Sequence, residues 1–198
     1  MIELFEQWDQ QLFMWLNSCY SNFWDIVMWN VSKTFVWVPL YAFVVFLVFQ
    51  KYKLKGFIPF LGMVLCVTLT DQVSVHLFKE VFQRYRPCHN LELSGMVHLV
   101  NNKCGGQYGF VSSHAANTFG FAALSWLFLR KRYVLFALFF WAALVSYSRI
   151  YLGVHYPADV FFGALLGIVI ASLVYLLISA FFCRILKHNI EKNPRTES

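Results

Sequence analysis

Lys79 and Arg86 stand seven residues apart, and Pro87 follows the arginine directly. A helix carried through to Arg86 would set both cations on one face, where they repel unless an anion lies between them. Pro87 discourages the helix from going further. A second run, Ser112-Ser113-His114, has the residue types of a helix start. Serine is a favoured N-cap, and a helix N-terminus offers unpaired N–H groups and a positive dipole end that suit an anion. His114, in the first turn, is placed to hand a proton to whatever is bound there. The third run contains Ser148-Arg149 and then His155-Tyr156-Pro157-Ala158-Asp159. Pro157 suits the first position of a helix, which puts Asp159 in its first turn with the carboxylate reaching back to the His155 ring. A carboxylate on one ring nitrogen fixes the tautomer and makes the other a better nucleophile. Each run alone has a plain structural reading: snorkelling cations at a helix end, a capped helix with an incidental histidine, an arginine beside a His–Asp pair. Together, the cations Lys79, Arg86 and Arg149, the helix-terminal donors and two histidines with different neighbours match a dianionic phosphate, a nucleophile and a proton donor.

The elements that position these groups are read from composition and charge. Of 198 residues, 59% are hydrophobic and 13% charged. Soluble domains have roughly 45–50% apolar and 25% charged residues. A water-soluble fold of this length could not hide that much apolar surface, and Gly, Pro and Cys are too few for collagen-like, disordered or disulfide-scaffold classes. The chain is read as an all-α, polytopic membrane helix bundle. Five segments are long and apolar enough to span, roughly 34–50, 57–79, 113–129, 133–149 and 157–183. Lys51, Lys53 and Lys55, then Arg130, Lys131 and Arg132, then Arg184, Lys187, Lys192 and Arg195 occupy alternate connections. The positive-inside rule makes these connections and the C-terminus cytoplasmic. Loops 80–112 and 150–156, with all three reactive runs, then face outward. The net charge of +6 is read as this anchoring and not as a nucleic-acid surface, because no basic run with interleaved aromatics lies outside the apolar segments. The N-terminus has no positive n-region or cleavage site of a secretory signal. In residues 1–33, Leu4, Phe5, Trp8, Leu12, Trp15 and Leu16 form one helical stripe opposite Glu3, Glu6, Gln7, Asp9 and Gln10. That pattern predicts an amphipathic segment in the membrane interface, the alternative being a sixth, poorly apolar span.

The ordered set resembles the type 2 phosphatidic acid phosphatase family, which includes vanadium haloperoxidases and glucose-6-phosphatase. The first motif (Lys, six residues, Arg-Pro) is complete at Lys79, Arg86 and Pro87, and the third (Ser-Arg, five residues, His, three residues, Asp) at Ser148, Arg149, His155 and Asp159. The middle motif, Pro-Ser-Gly-His, is altered: Val111-Ser112-Ser113-His114 keeps only the serine and histidine. The resemblance implies a two-step phosphoryl transfer. His155 attacks phosphorus and Asp159 orients it; His114 protonates the leaving oxygen and then activates water. Lys79, Arg86, Arg149, Ser112 and Ser113 hold the phosphate oxygens, and no metal or cofactor is needed. Residues 34–185 would form this phosphatase domain and 186–198 a cytoplasmic tail. The expected enzyme is a lipid phosphate or pyrophosphate phosphatase of a bacterial inner membrane, facing the periplasm or exterior. Phosphatidylglycerophosphate, phosphatidate, undecaprenyl pyrophosphate and lipid A phosphate are its candidate substrates. A lipid phosphotransferase would use the same residues, and an anion or lipid transporter would need no nucleophile.

Smaller signals complete the reading. Cys88 and Cys104 share the outer loop, where a disulfide can form; Cys66 and Cys183 are expected unpaired. Asp71 and His76 are expected to make interhelical hydrogen bonds, and Gly105-Gly106 to form a tight turn. His76, His89, His98 and His188 lack metal-ligand spacing.

Overall fold

A computed structural model describes residues 2–192, with side chains over 3–181. It is all-helical. Two helices, α1 (Ile2–Ser18) and α2 (Asn22–Val31), precede α3 (Val38–Tyr52). At Lys53 the backbone enters the left-handed region (φ 54°), and a 3-10 turn at Lys53–Gly56 sends the chain back along α3. The Phe49 and Phe57 rings meet edge-on at 5.0 Å across this turn. Helix α4 (Phe57–Val73) continues as a π-helical stretch, Ser74–Lys79, and ends in the short α5 (Glu80–Phe82). After the loop 83–112 come α6 (Ser113–Leu129), α7 (Arg132–Tyr151) and α8 (Pro157–Lys192). Residues 193–198 of the expected tail, and the side chains of Arg184, Lys187, Lys192 and Arg195, lie outside the described residues. Among the described residues, three helical stretches are long and apolar enough to cross a membrane, Thr34–Phe82, Arg132–Tyr151 and Pro157–Phe181.

Helix α6 is the axis of the bundle. Ala115, Ala116, Ala122 and Leu124 are fully buried in it, and it packs against α8, α7 and α4. The closest crossing is with α8. A Cβ on Gly163 would lie 2.5 Å from the Ser112 carbonyl oxygen, and one on Gly167 2.2 Å from that of Ala116. These two glycines, four apart on one face of α8, let the backbones touch as small residues do between membrane helices. The apolar faces that remain exposed, such as Phe46, Leu61, Phe136, Phe140 and Leu177, belong to a protein whose solvent is lipid. Lys51 Nζ and the Tyr52 hydroxyl donate to the Phe128 carbonyl at 2.8 Å, so the basic connections after α3 and α6 sit together at one end.

The N-terminal segment follows its predicted stripe on one side only. Leu4, Phe5, Trp8, Leu12 and Trp15 are all exposed, while Asp9, Phe13 and Asn17 are buried. Asp9, expected on the polar outer face, instead points into the protein. Asn17 donates to the carbonyls of His98, Ile150 and Tyr151 and accepts from the His98 N–H at 2.8 Å. These bonds tie α1 to the loop 83–112 and to the end of α7.

Candidate active site

The end of the bundle opposite the basic connections gathers four chain ends: the tail of α4, the start of α6, the end of α7 and the start of α8. They enclose a cavity of about 660 Å³ lined at this end by Lys79, Arg86, Ser113, His114, Arg149 and His155. Both histidines therefore face the same space. Its remainder is mostly apolar, running past Trp37, Tyr41, Val45, Phe60, Val64 and Val67, with Asp71 and Asn117 among its polar lining.

Lys79 reaches the cavity by a route the spacing did not indicate. Five residues along an α-helix turn a side chain by about 140° away from its starting direction, yet Ser74 Oγ and Lys79 Nζ both lie 2.6 Å from Ser113 Oγ. The π-helical stretch between them widens the turn and brings the two onto one face. The helix then stops. Gln83 is left-handed (φ 47°), so Lys79 and Arg86 do not share a helix face as expected. Residues 84–86 run extended instead, pairing with 107–109 through Arg86 N–H to Gln107 O at 3.1 Å and Gly109 N–H to Arg84 O at 2.9 Å. The Arg86 guanidinium donates to the carbonyls of Tyr108 and Cys104 at 3.2 and 3.3 Å. The Cys88–Cys104 disulfide closes that loop, as the sequence suggested, and Gly105 within it takes a positive φ of 91°.

Ser112 caps α6. Its hydroxyl accepts from the Ala115 N–H at 3.4 Å, and its own N–H donates to the Asp159 carbonyl at 2.9 Å. It is fully buried and is not among the residues lining the cavity. Its hydroxyl oxygen serves the helix end as an acceptor, which leaves the hydroxyl proton uncommitted. Ser113 does line the cavity. The His114 ring has no hydrogen-bond partner among the described residues.

Gly153, with φ +74°, turns the chain after α7 and returns His155 to the cavity. Its Nδ1 lies 3.4 Å from Asp159 Oδ2, which also accepts from the Tyr156 N–H at 3.0 Å. Burial, together with Arg86, Arg149 and Lys79 nearby, holds the His155 imidazole well below its ordinary pKa, so the ring is neutral at pH 7. Arg149 bonds Ser32 Oγ, and its buried Nε has no partner among the described residues.

Two groups that sequence reasoning left unassigned complete the site. Arg84 donates from Nη1 to Asp159 Oδ1 at 2.8 Å and from Nη2 to Asp9 Oδ2 at 2.7 Å, with its guanidinium 4.3 Å from the centre of the Tyr156 ring. Asp9 Oδ1 accepts from the Ala158 N–H at 2.9 Å. Burial disfavours the Arg84 charge, but the two carboxylates outweigh it and raise the pKa above the ordinary arginine value. A charged residue midway between Lys79 and the proline was visible in the sequence, but its partners come from distant helices. The Gly163/Gly167 pair was the signal for the α6–α8 crossing. The Asp71 and His76 expectation is not met. His76 pairs within its own helix with Glu80 at 3.1 Å, because it points outward, and Asp71 lines the cavity.

Residues 56–183 match the PAP2 superfamily. The chain is 34% identical over 169 residues to a lipid A 4'-phosphatase of Bacteroides thetaiotaomicron, an alignment covering 84% of this chain and 75% of that protein. It is 32% identical over 168 residues to the lipid A 4'-phosphatase of Porphyromonas gingivalis, covering 84% and 71%. The crystal structure of the first transmembrane PAP2 type phosphatidylglycerolphosphate phosphatase from Bacillus subtilis has the same fold. Its TM-score is 0.67 at 23% identity, over 92% of this chain and 88% of that one. Sequence, helix arrangement and the convergence of its three motifs on one cavity agree: the chain belongs to the PAP2 superfamily and is a multi-pass membrane enzyme that hydrolyses lipid phosphates.

Proposed function

We propose that the enzyme removes a phosphate from a phosphorylated glycolipid of the lipid A kind, through a phosphohistidine, at the outer face of the bacterial inner membrane. The observation that carries this reading is the shape of the cavity: His114, His155 and three cations at one end, and a mostly apolar channel leading from them past Tyr41, Val45, Val64 and Val67. A lipid fits with its phosphate at the polar end and its chains in the channel. The glycolipid is favoured by the similarity to the two lipid A 4'-phosphatases. Five crossings, α3, α4, α6, α7 and α8, with α1 and α2 in the interface, accommodate this. The basic connections at the end opposite the histidines favour the outer face for the chemistry.

In the first step the free ring nitrogen of His155 attacks phosphorus and the bond to the lipid oxygen breaks. His114 delivers the proton that oxygen needs. In the second, water attacks the phosphohistidine, His114 takes its proton, and the P–N bond breaks to release inorganic phosphate. Lys79, Arg86, Arg149, Ser113 and the first N–H groups of α6 hold the three equatorial oxygens, where they stabilise the charge of the transition state. Ser112 contributes by fixing that helix end. These cations fill the electrostatic role of a metal, so activity is expected to survive EDTA.

Purified protein in detergent, assayed for phosphate release from lipid A and other lipid phosphates, tests the reading. Wild type is expected to release phosphate from lipid A and to trap an acid-labile phosphoenzyme, and His155→Ala to do neither while remaining folded. Phosphate release by folded His155→Ala overturns the mechanism. Transfer of the phosphate to a second lipid, with none released, overturns hydrolysis.

A further inference from the structure

The exposed stripe of α1, with Leu4, Phe5, Trp8, Leu12 and Trp15, suits the membrane interface. Its opposite side carries the one buried carboxylate of the segment, Asp9. That carboxylate is bonded on both oxygens, to Arg84 Nη2 at 2.7 Å and to the Ala158 N–H in the first turn of α8 at 2.9 Å. Arg84 in turn uses its other terminal nitrogen on Asp159 Oδ1 at 2.8 Å, leaving Oδ2 for Tyr156 N–H and the His155 ring. A continuous chain of bonds thus runs from the lipid-facing helix to the nucleophile.

Three features argue that the chain does more than hold helices together. Both carboxylates are almost completely buried (side-chain exposures of 4% and 0%) and Arg84 is only 19% exposed, so these bonds act with little screening. The guanidinium takes one oxygen of Asp159 in a fixed fork geometry, which leaves the other in one place relative to Nδ1. The Asp159–His155 contact itself is long, at 3.4 Å, so the ring depends on how firmly Asp159 is held. Without Arg84, Asp159 would keep its negative charge only at the cost of an uncompensated buried ion, and a protonated Asp159 would no longer fix the tautomer in which Nδ1 carries the proton.

We propose that Asp9 and Arg84 are positioning residues for the phosphatase reaction: Asp9, on the interfacial helix, locks Arg84, and Arg84 holds Asp159 in the ionised, oriented form that aims His155. Neither touches the phosphate. The proposal rests on His155 being the nucleophile.

Steady-state kinetics on lipid A and quantified phosphoenzyme provide the test. Arg84→Ala is expected to lower kcat about a hundredfold and Asp9→Asn about tenfold, with KM within threefold of wild type, as for groups that orient a histidine's partner. Turnover per phosphorylatable site should fall by the same factor, and millimolar guanidinium should restore part of the lost kcat in Arg84→Ala but none in Arg149→Ala. Should Arg84→Ala not fold, Arg84→Lys, whose ammonium is a point charge and not a fork, is expected to lose kcat at least tenfold. An unchanged kcat per site, a change confined to KM, or a loss tracking only the folded fraction would overturn it. His155→Ala separates the two failures. If that variant stays active the nucleophile is misassigned; if it is inactive and the Arg84 variants keep their kcat, only the positioning chain fails.

Discussion

Gly163→Ala adds one methyl group where helix α8 crosses the start of α6. The new Cβ would lie 2.5 Å from the Ser112 carbonyl oxygen and 3.2 Å from the Ala115 methyl. The first neighbour is backbone and cannot rotate away, so the helices must part by about 1 Å to restore van der Waals contact. That gap opens between two particular groups. Ser112 caps the helix that carries His114, and Gly163 lies one turn beyond Asp159, which orients His155. Overpacking of this kind typically costs 1–3 kcal/mol. A misplacement of about 1 Å between reacting groups costs about a hundredfold in rate. The substitution is therefore expected to lower kcat for phosphate release by about two orders of magnitude while lowering stability only moderately. Thermal unfolding in detergent and initial-rate assays on the same preparation separate the two effects. Gly106→Ala is the control, since a Cβ there meets nothing within 4 Å, and it should behave as wild type. A Gly163→Ala enzyme within twofold of wild-type kcat would refute the view that the α6–α8 crossing sets the distance between the histidines.

Two further measurements bear on the charge of the site. Burial and the neighbouring cations hold His155 well below its ordinary pKa in the folded protein, whereas in the unfolded chain it titrates near 6.5. The unfolded state thus binds the extra proton first: the stability from burying a neutral ring is complete above about pH 6.5 and is lost as pH falls, by up to about 1.4 kcal/mol per unit. Unfolding temperatures between pH 7.5 and 5 should fall more steeply for wild type than for His155→Gln; parallel slopes would contradict this. Separately, inorganic phosphate at about a hundred times its Kd should add about 2.7 kcal/mol, a rise of several degrees in Tm, while sodium chloride of equal ionic strength should not. Equal shifts with both salts would show that the cations do not form a specific oxyanion site.

The helices and the site were unequally legible in the sequence. Long apolar runs bounded by Lys and Arg located the helices α3, α4, α6 and α7 and the start of α8 to within a few residues, because a helix satisfies its own backbone hydrogen bonds and an apolar one leaves an unbroken pattern; α8 runs on to Lys192, past its expected end at 183. The motif spacings named the cavity-lining residues, since a phosphate needs cations and donors of those types. What spacing could not reveal was how distant segments meet. Lys79 reaches Ser113 through a π-helical stretch that no local propensity announces, and Arg86 arrives on an extended strand paired with 107–109. Asp9 looked like an outward polar residue because periodicity separates apolar from polar faces but cannot say which face a membrane protein turns inward. Here Trp8 is exposed and its neighbour Asp9 buried, the reverse of what a soluble helix does with those two residue types.

That inversion bears on how the site is charged. Among the described residues, Arg84 has two carboxylate partners, whereas Lys79, Arg86 and Arg149 have none. Uncompensated buried cations oppose folding; burial lowers the Arg86 pKa below the ordinary arginine value even with Asp159 nearby. Asp159, which contacts the histidine, and Asp9 are instead tied to Arg84 and do not line the cavity. Had Asp159 faced the cavity, it would have neutralised a cation that the phosphate requires and repelled the phosphate itself. Placing Asp159 behind His155 allows one carboxylate to orient the nucleophile, so that Asp71 is the carboxylate facing the three cations across the cavity. The phosphate of an arriving lipid then supplies the counter-charge these three residues lack, and its binding relieves a cost that the folded protein carries without it.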